Sequence, residues 1–127
     1  MDVLAHALNS IKVAEAKGVS EARIKPASKL VRETLLLLQQ NGYIGEFEFV
    51  DDGKSGEFVV ALLGKINACG AIKPRFAVKL VDFEKYEQRF LPARDVGLLI
   101  VSTSKGLVTH VAAKQAKIGG RLAAFVY

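Results

Sequence analysis

Hydrophobic positions near the start of the chain recur at helical spacing. Leu4, Leu8 and Ile11 share one face of residues 2–17, and Ala5, Ala7 and Ala14 add helix propensity. Asp2 is placed to cap this helix and Gly18 to end it. Residues 21–25 predict a short strand that stops at Pro26, because proline lacks the N–H a central strand needs. A second helix opens at or near Ser28, carries Leu30, Leu35, Leu36, Leu37 and Leu38, and ends at Asn41-Gly42. The period then changes to two. Over residues 43–50, Glu46 and Glu48 alternate with Phe47 and Phe49; the turn-rich Asp51-Asp52-Gly53-Lys54-Ser55-Gly56 follows, and residues 57–63 return as the second arm of a hairpin. The alternation makes Tyr43, Phe47, Phe49 and Phe58 core residues rather than platforms for stacked bases.

The second half is less regular. Residues 64–76 carry Gly64, Gly70 and Pro74 among apolar neighbours and read as a bent strand bridging two lobes. Residues 78–81 suggest a further strand, 82–90 a short charged helix ended by Pro92, and 96–101 a buried strand. Residues 102–106 form a polar loop. Thr109 caps a short helix through Lys117 with His110 on its surface, and Gly119-Gly120 leads into a last strand over 121–127. The pattern does not assign Phe83 and Tyr86. The expected fold class is α+β, with an N-terminal α-β-α-β-β lobe (1–64) and a mostly β C-terminal lobe with short helices (65–127).

Composition narrows the function. Half of the 127 residues are hydrophobic, enough for a core. No apolar run approaches a membrane span, and the start lacks a secretory pattern, so a cytoplasmic protein without membrane contact is expected. The single cysteine, Cys69, precludes an internal disulfide and reads as a small buried hydrophobe. With His6 and His110 alone beside it, a zinc cluster is not expected, nor any other metal or cofactor. Net charge is +5, distributed unevenly: residues 1–64 hold 7 Lys/Arg and 9 Asp/Glu, residues 65–127 hold 11 and 4. The basic half suits a polyanionic partner, although an inert basic surface fits the charge equally well. Lys65, Lys73, Arg75 and Lys79 are candidates for a phosphate-positioning stripe, or simply a solvated face. The acidic half is better suited to protein contact.

The most informative stretch is Ser102-Thr103-Ser104-Lys105-Gly106. Three hydroxyls follow a buried strand, then a cation and a glycine. Hydroxyls donate and accept, which suits phosphates, 2′-hydroxyls and base edges of an RNA minor groove. Taken alone, the run reads more readily as an ordinary surface loop rich in turn formers. It lacks the glycine spacing and Lys-Ser/Thr order of a phosphate-binding loop. A hydrolase reading would use Ser102 or Ser104 with His110 as base, but Gly-x-Ser-x-Gly is not satisfied, because Ile100 and Val101 precede these serines. No enzyme is expected.

These residues, with Ile118-Gly119-Gly120-Arg121-Leu122 and Phe125-Val126-Tyr127, resemble small-subunit ribosomal protein number eight. The stretches Ile24-Lys25-Pro26-Ala27-Ser28-Lys29-Leu30, Gly42-Tyr43-Ile44-Gly45-Glu46-Phe47, Ile66-Asn67 with Cys69-Gly70, Lys73-Pro74-Arg75-Phe76 and Leu91-Pro92-Ala93-Arg94-Asp95 resemble the archaeal and eukaryotic branch of that family. The resemblance runs in order along nearly the whole chain. It implies two α/β lobes, binding to the central domain of small-subunit ribosomal RNA mainly through the C-terminal lobe, support of subunit assembly, and contact with neighbouring ribosomal proteins. It places Ser102, Thr103, Ser104, Lys105 and Gly106 at an internal loop of the RNA. Gly119 and Gly120 would permit close backbone packing beside it, with RNA contact, and Ser28 and Lys29 would face RNA from the first lobe. A second role, binding a messenger that mimics the ribosomal site, is compatible with it. One departure stands out: the family's acidic positions after the hydroxyl loop are apolar in Val108-Thr109-His110-Val111-Ala112-Ala113, which removes favourable charge from a helix N-terminus.

Overall fold

The computed structural model describes residues 3–25, 27–54, 56–72, 77–93 and 96–127. The expectations resting on Asp2, Pro26, Ser55, Lys73, Pro74, Arg75, Phe76, Arg94 and Asp95 lie outside the described residues. The chain divides into two compact units, Met1–Asn67 and Ala68–Tyr127, and mixes helix with sheet as an α+β fold.

The first unit holds α1 (Val3–Lys17), β1 (Glu21–Ile24), α2 (Lys29–Gln40), β2 (Ile44–Val50) and β3 (Glu57–Leu62). The strands form an antiparallel sheet in the order β1-β3-β2. Leu4, Leu8 and Ile11 of α1 and Val31, Leu35 and Leu38 of α2 are buried with Ala22, Ile24, Ile44, Phe58, Val60 and Leu62 of the sheet. Each large aliphatic side chain buried in this way contributes about 2 kcal/mol from the water it sheds. Ser28 caps α2, its hydroxyl oxygen accepting from the Val31 N–H at 3.2 Å. Buried Thr34 donates its hydroxyl to the Leu30 carbonyl, so no polar atom there is stranded.

The aromatic expectation needs correction. Phe58 is buried, but Tyr43 and Phe47 are half-buried and Phe49 is 58% exposed. Phe49 keeps the inward register, yet its ring lies over Gly56 and edge-on to Phe58 at the rim of the core. Alternation states which face a residue occupies, not how far the core extends beneath it. In the loop between β2 and β3, Asp52 accepts N–H groups from Lys54 and Gly56, both at 2.9 Å. These two bonds, then the Lys25 charge, hold its carboxyl below the usual aspartate range. The loop contribution is therefore present above the ordinary aspartate pKa and lost as pH falls through the depressed value. In an NMR titration the Lys54 and Gly56 amide protons should shift together, with a midpoint below that of an unperturbed aspartate.

The second unit holds β4 (Cys69–Ala71), β5 (Ala77–Val78), a 3₁₀ turn (Leu80–Asp82), α3 (Phe83–Phe90), β6 (Leu98–Thr103), β7 (Gly106–Thr109), α4 (His110–Ala116) and β8 (Gly120–Val126). Its antiparallel sheet runs β4-β8-β6-β7, and β5 also pairs with β8. Ile72, Val78, Phe83, Leu91, Leu99, Val101, Ala113 and Leu122 form one buried cluster. The strand expected at 78–81 is therefore cut short: extended pairing ends at Val78, and the chain turns into 3₁₀ geometry.

The helix α4 forms without an acidic residue in its first turn. Thr109 supplies the cap, accepting from the Ala112 N–H at 3.1 Å, and buried His110 and Ala113 anchor the helix. At its other end Lys117 takes a left-handed conformation, φ 57° and ψ 43°, while its N–H and that of Ile118 bond back to Lys114 and Ala113. A side chain in that region costs roughly 1–2 kcal/mol, partly offset for glycine by its freer unfolded state. Lys117→Gly should raise stability by about 1 kcal/mol, read as a higher urea midpoint at unchanged m-value, whereas Lys117→Ala should not.

Candidate nucleic-acid interface

The hydroxyl run sits at the tip of the β6–β7 hairpin rather than in a free loop. Register pairs Ser102 with Leu107 and Thr103 with Gly106, leaving Ser104 and Lys105 as the connecting pair. The strand expected to end at Val101 thus continues through two of the hydroxyl residues. Strand β7 went unanticipated because 106–109 is too short to show alternation. Neither Ser104 nor Lys105 has positive φ; Gly106, at φ 101°, supplies the left-handed step that brings the chain back into register.

The three hydroxyls do different things. Thr103 Oγ1 donates to the Gly106 carbonyl at 2.8 Å and accepts from the Lys105 N–H at 3.1 Å. It closes the turn from within. Among the described residues no hydrogen bond engages the side chains of Ser102 or Ser104. Ser104 and Lys105 are exposed at the tip, and Ser102 is half-buried one residue before Thr103. Successive side chains on a strand point to opposite faces, so Ser102 shares its face with Leu107 and Arg121, its partners on either side.

The glycine pair holds the tip close to the sheet. A Cβ on Gly119 would stand 2.5 Å from the Val78 carbonyl oxygen. One on Gly120 would stand closer still to the Ser102 carbonyl, and 2.9 Å from Val101 Cγ1 and 3.1 Å from Thr103 Cγ2. Both lie far inside normal contact, so only glycine lets β8 enter the sheet here. Ser102, Thr103, Ser104, Lys105, Gly106, Gly119 and Gly120 are thereby brought to one end of the second sheet. Arg121, opposite Ser102, and Lys79, next to Val78, add exposed positive charge beside them. Arg121 lies within the stretch that carries the family resemblance but was not singled out there; the β6–β8 register is what sets it opposite Ser102. Ser28 and Lys29 belong to the first unit, as N-cap and first residue of α2. Of the expected basic stripe, Lys65 is exposed in the first unit and Lys79 in the second; Lys73 and Arg75 lie outside the described residues.

His110 is not a surface residue. It is buried, and its Nδ1 accepts the Leu99 backbone N–H at 3.0 Å. An accepting ring nitrogen carries no proton, so Nε2 holds it and faces Glu87 Oε1 at 3.4 Å. Lys114 also reaches that carboxylate. The imidazole therefore ties β6 to α4 and α3, a structural use that suits neither Ser102 nor Ser104 as a partner in nucleophilic attack. Among the described residues no group of three or more His, Cys, Asp or Glu could hold one metal ion, and no helix is long and apolar enough to cross a membrane.

A hydroxyl-bearing hairpin tip with exposed Lys105, and exposed Arg121 on the neighbouring strand, offers donors, acceptors and positive charge of the kind a nucleic-acid backbone can meet. A family model described as Ribosomal protein S8 matches residues 2–127, and the chain belongs to that family. It is a ribosomal protein of the small subunit that binds ribosomal RNA, in a family that is structural rather than enzymatic.

Gly120→Ala forces a methyl against the Ser102 carbonyl. Overpacking of this kind costs about 1–3 kcal/mol, and it should appear as a lower urea midpoint together with displaced amide resonances at Ser102 and Thr103. Gly106→Ala meets open space and strains only its own φ, so its effect should be smaller and confined to the turn.

Proposed function

We propose that the chain binds the central domain of small-subunit ribosomal RNA through the β6–β7 tip and supports subunit assembly, as a cytoplasmic ribosomal protein of the archaeal and eukaryotic branch. The observation that carries this reading is the division of labour among the hydroxyls. Thr103 spends its hydroxyl closing the turn, and the side chains of Ser102 and Ser104 are left to an outside partner. Short hydroxyl side chains lose little rotamer entropy on binding and reach both 2′-hydroxyls and base edges of a wide A-form minor groove. Lys105 adds a phosphate contact that fixes register without reading sequence. Gly106 lets the backbone turn, and Gly119 and Gly120 keep the tip against β8 where their own backbone can approach the RNA. Ser28 and Lys29 make a second, weaker contact from the start of α2. A messenger that presents the same RNA shape would be bound by the same tip, which gives the chain a secondary role as a translational regulator.

The test is binding to a hairpin from the central domain across a salt series. Ser102→Ala/Ser104→Ala removes two hydrogen bonds worth about 0.5–1.5 kcal/mol each, so affinity should fall roughly ten-fold with the salt slope unchanged. Lys105→Ala should weaken binding and reduce the log–log salt slope by about 0.9, the increment for one neutralised phosphate on duplex DNA. Thr103→Ala should lower affinity through a loosened turn, visible in the free protein as changed Lys105 and Gly106 amide shifts. Unchanged affinity in the double serine variant would move recognition away from the tip.

A further inference from the structure

The β1-β3-β2 sheet has helices on one face; on the other, Glu21, Arg23, Glu46, Glu48 and Ala61 are exposed. Its register sets Glu21 beside Ala61, Arg23 beside Val59, Glu48 beside Val59 and Val50 beside Glu57. An irregularity between Ile44 and Phe47 adds Gly45 and Glu46 to this region. Gly45 has no side chain to cover Ala61, whose Cβ would lie 3.2 Å from a Cβ added there. The result is a shallow depression of about 300 Å³, lined by Glu21, Glu46, Phe47, Glu48, Val59 and Ala61.

Charge on this face is unbalanced. Arg23 is committed to Glu57 at 2.9 Å and Glu21 at 3.7 Å, and Lys25 to Glu57 at 3.6 Å and Asp52 at 3.9 Å. Glu46 and Glu48 are exposed, and among the described residues neither has a cation within ion-pair distance. Carboxylates around an apolar floor repel RNA phosphates and complement a side chain with an aliphatic stem and a cationic end. We infer that this face docks an extended arginine- or lysine-rich segment of another protein, with stems over Val59 and Ala61 and cationic ends on Glu46 and Glu48. The inference rests on the ribosomal role proposed above for its setting, but not on the RNA contacts assigned to the second unit.

The experiment titrates a short blocked peptide, arginine alternating with valine, into the full chain by calorimetry and by amide NMR. Wild type should bind with shifts centred on β2 and β3 and reaching Glu21 of β1. Glu46→Gln/Glu48→Gln should weaken binding at least five-fold at an unchanged urea midpoint, and Glu84→Gln, an exposed carboxylate of the second unit, should have no effect. Equal affinity of the double variant and wild type, shifts centred elsewhere, or no measurable binding to wild type would overturn the proposal. So would a loss of affinity for the ribosomal hairpin in Glu46→Gln/Glu48→Gln, which would put RNA on this face. Hairpin binding by Ser102→Ala/Ser104→Ala, measured in parallel, reports separately on the RNA-reading tip.

Discussion

Strands β6 and β8 pair antiparallel from Leu98 opposite Val126 to Ser102 opposite Arg121. This pairing is the constraint on which the second unit depends. It buries Leu99, Val101 and Leu122 in one cluster and gives β4, β5 and β7 the edges they need. Its far end is also where the hydroxyl hairpin begins. Because Gly120 passes against the Ser102 carbonyl, the hairpin leaves the sheet in a defined direction, with its backbone anchored on one side and its tip free. Pairing on both sides restrains the strands that carry the tip, which would lower the ordering cost of any recognition by it.

Buried polar groups in this unit serve the same end. His110 takes up the Leu99 N–H, a donor that β6 would otherwise have to satisfy elsewhere, and turns its other nitrogen to Glu87. Glu87 in turn meets Lys114. One residue after β7, the chain is thus fastened to both α3 and β6. Thr109, the last residue of β7, caps α4 in the same step. The helix compensates for its missing acidic first turn with a hydroxyl cap and buried anchors. Those are short-range interactions that salt does not screen, whereas the macrodipole contribution of a surface carboxylate is screened.

The first unit divides its two sheet faces differently. Helices cover one, and the other keeps Glu21, Glu46 and Glu48 in water beside a thin apolar floor, with Glu57 buried against Arg23 and Lys25. Its net charge, slightly negative, is opposite in sign to that of the hydroxyl-bearing unit.

Much of this was legible from residue order alone. Helical spacing identified α1 and α2, alternation identified the β2–β3 hairpin, and Ser28 and Thr109 announced their caps, because these are local interactions between residues a few positions apart. The hydroxyl run and the glycine pair were visible as candidates through the family resemblance, since taken alone the hydroxyl run reads more readily as a turn-rich surface loop. Tertiary structure alone decided the rest. Whether Phe49 is covered depends on how far the core extends beneath the end of β2, and whether His110 is buried depends on which backbone N–H its ring meets. Thr103 differs from Ser102 and Ser104 only because Gly106 and Lys105 fold back onto it. Arg121 reaches the site only through pairing with a strand nearly twenty residues earlier. Patterns of period two or 3.6 carry the face a side chain occupies, but not the depth of the core beneath it or the identity of a distant neighbour. Depth and distant pairing are set when the elements pack, and it is packing that turns three equivalent hydroxyls into one that builds the tip and two that remain on its surface.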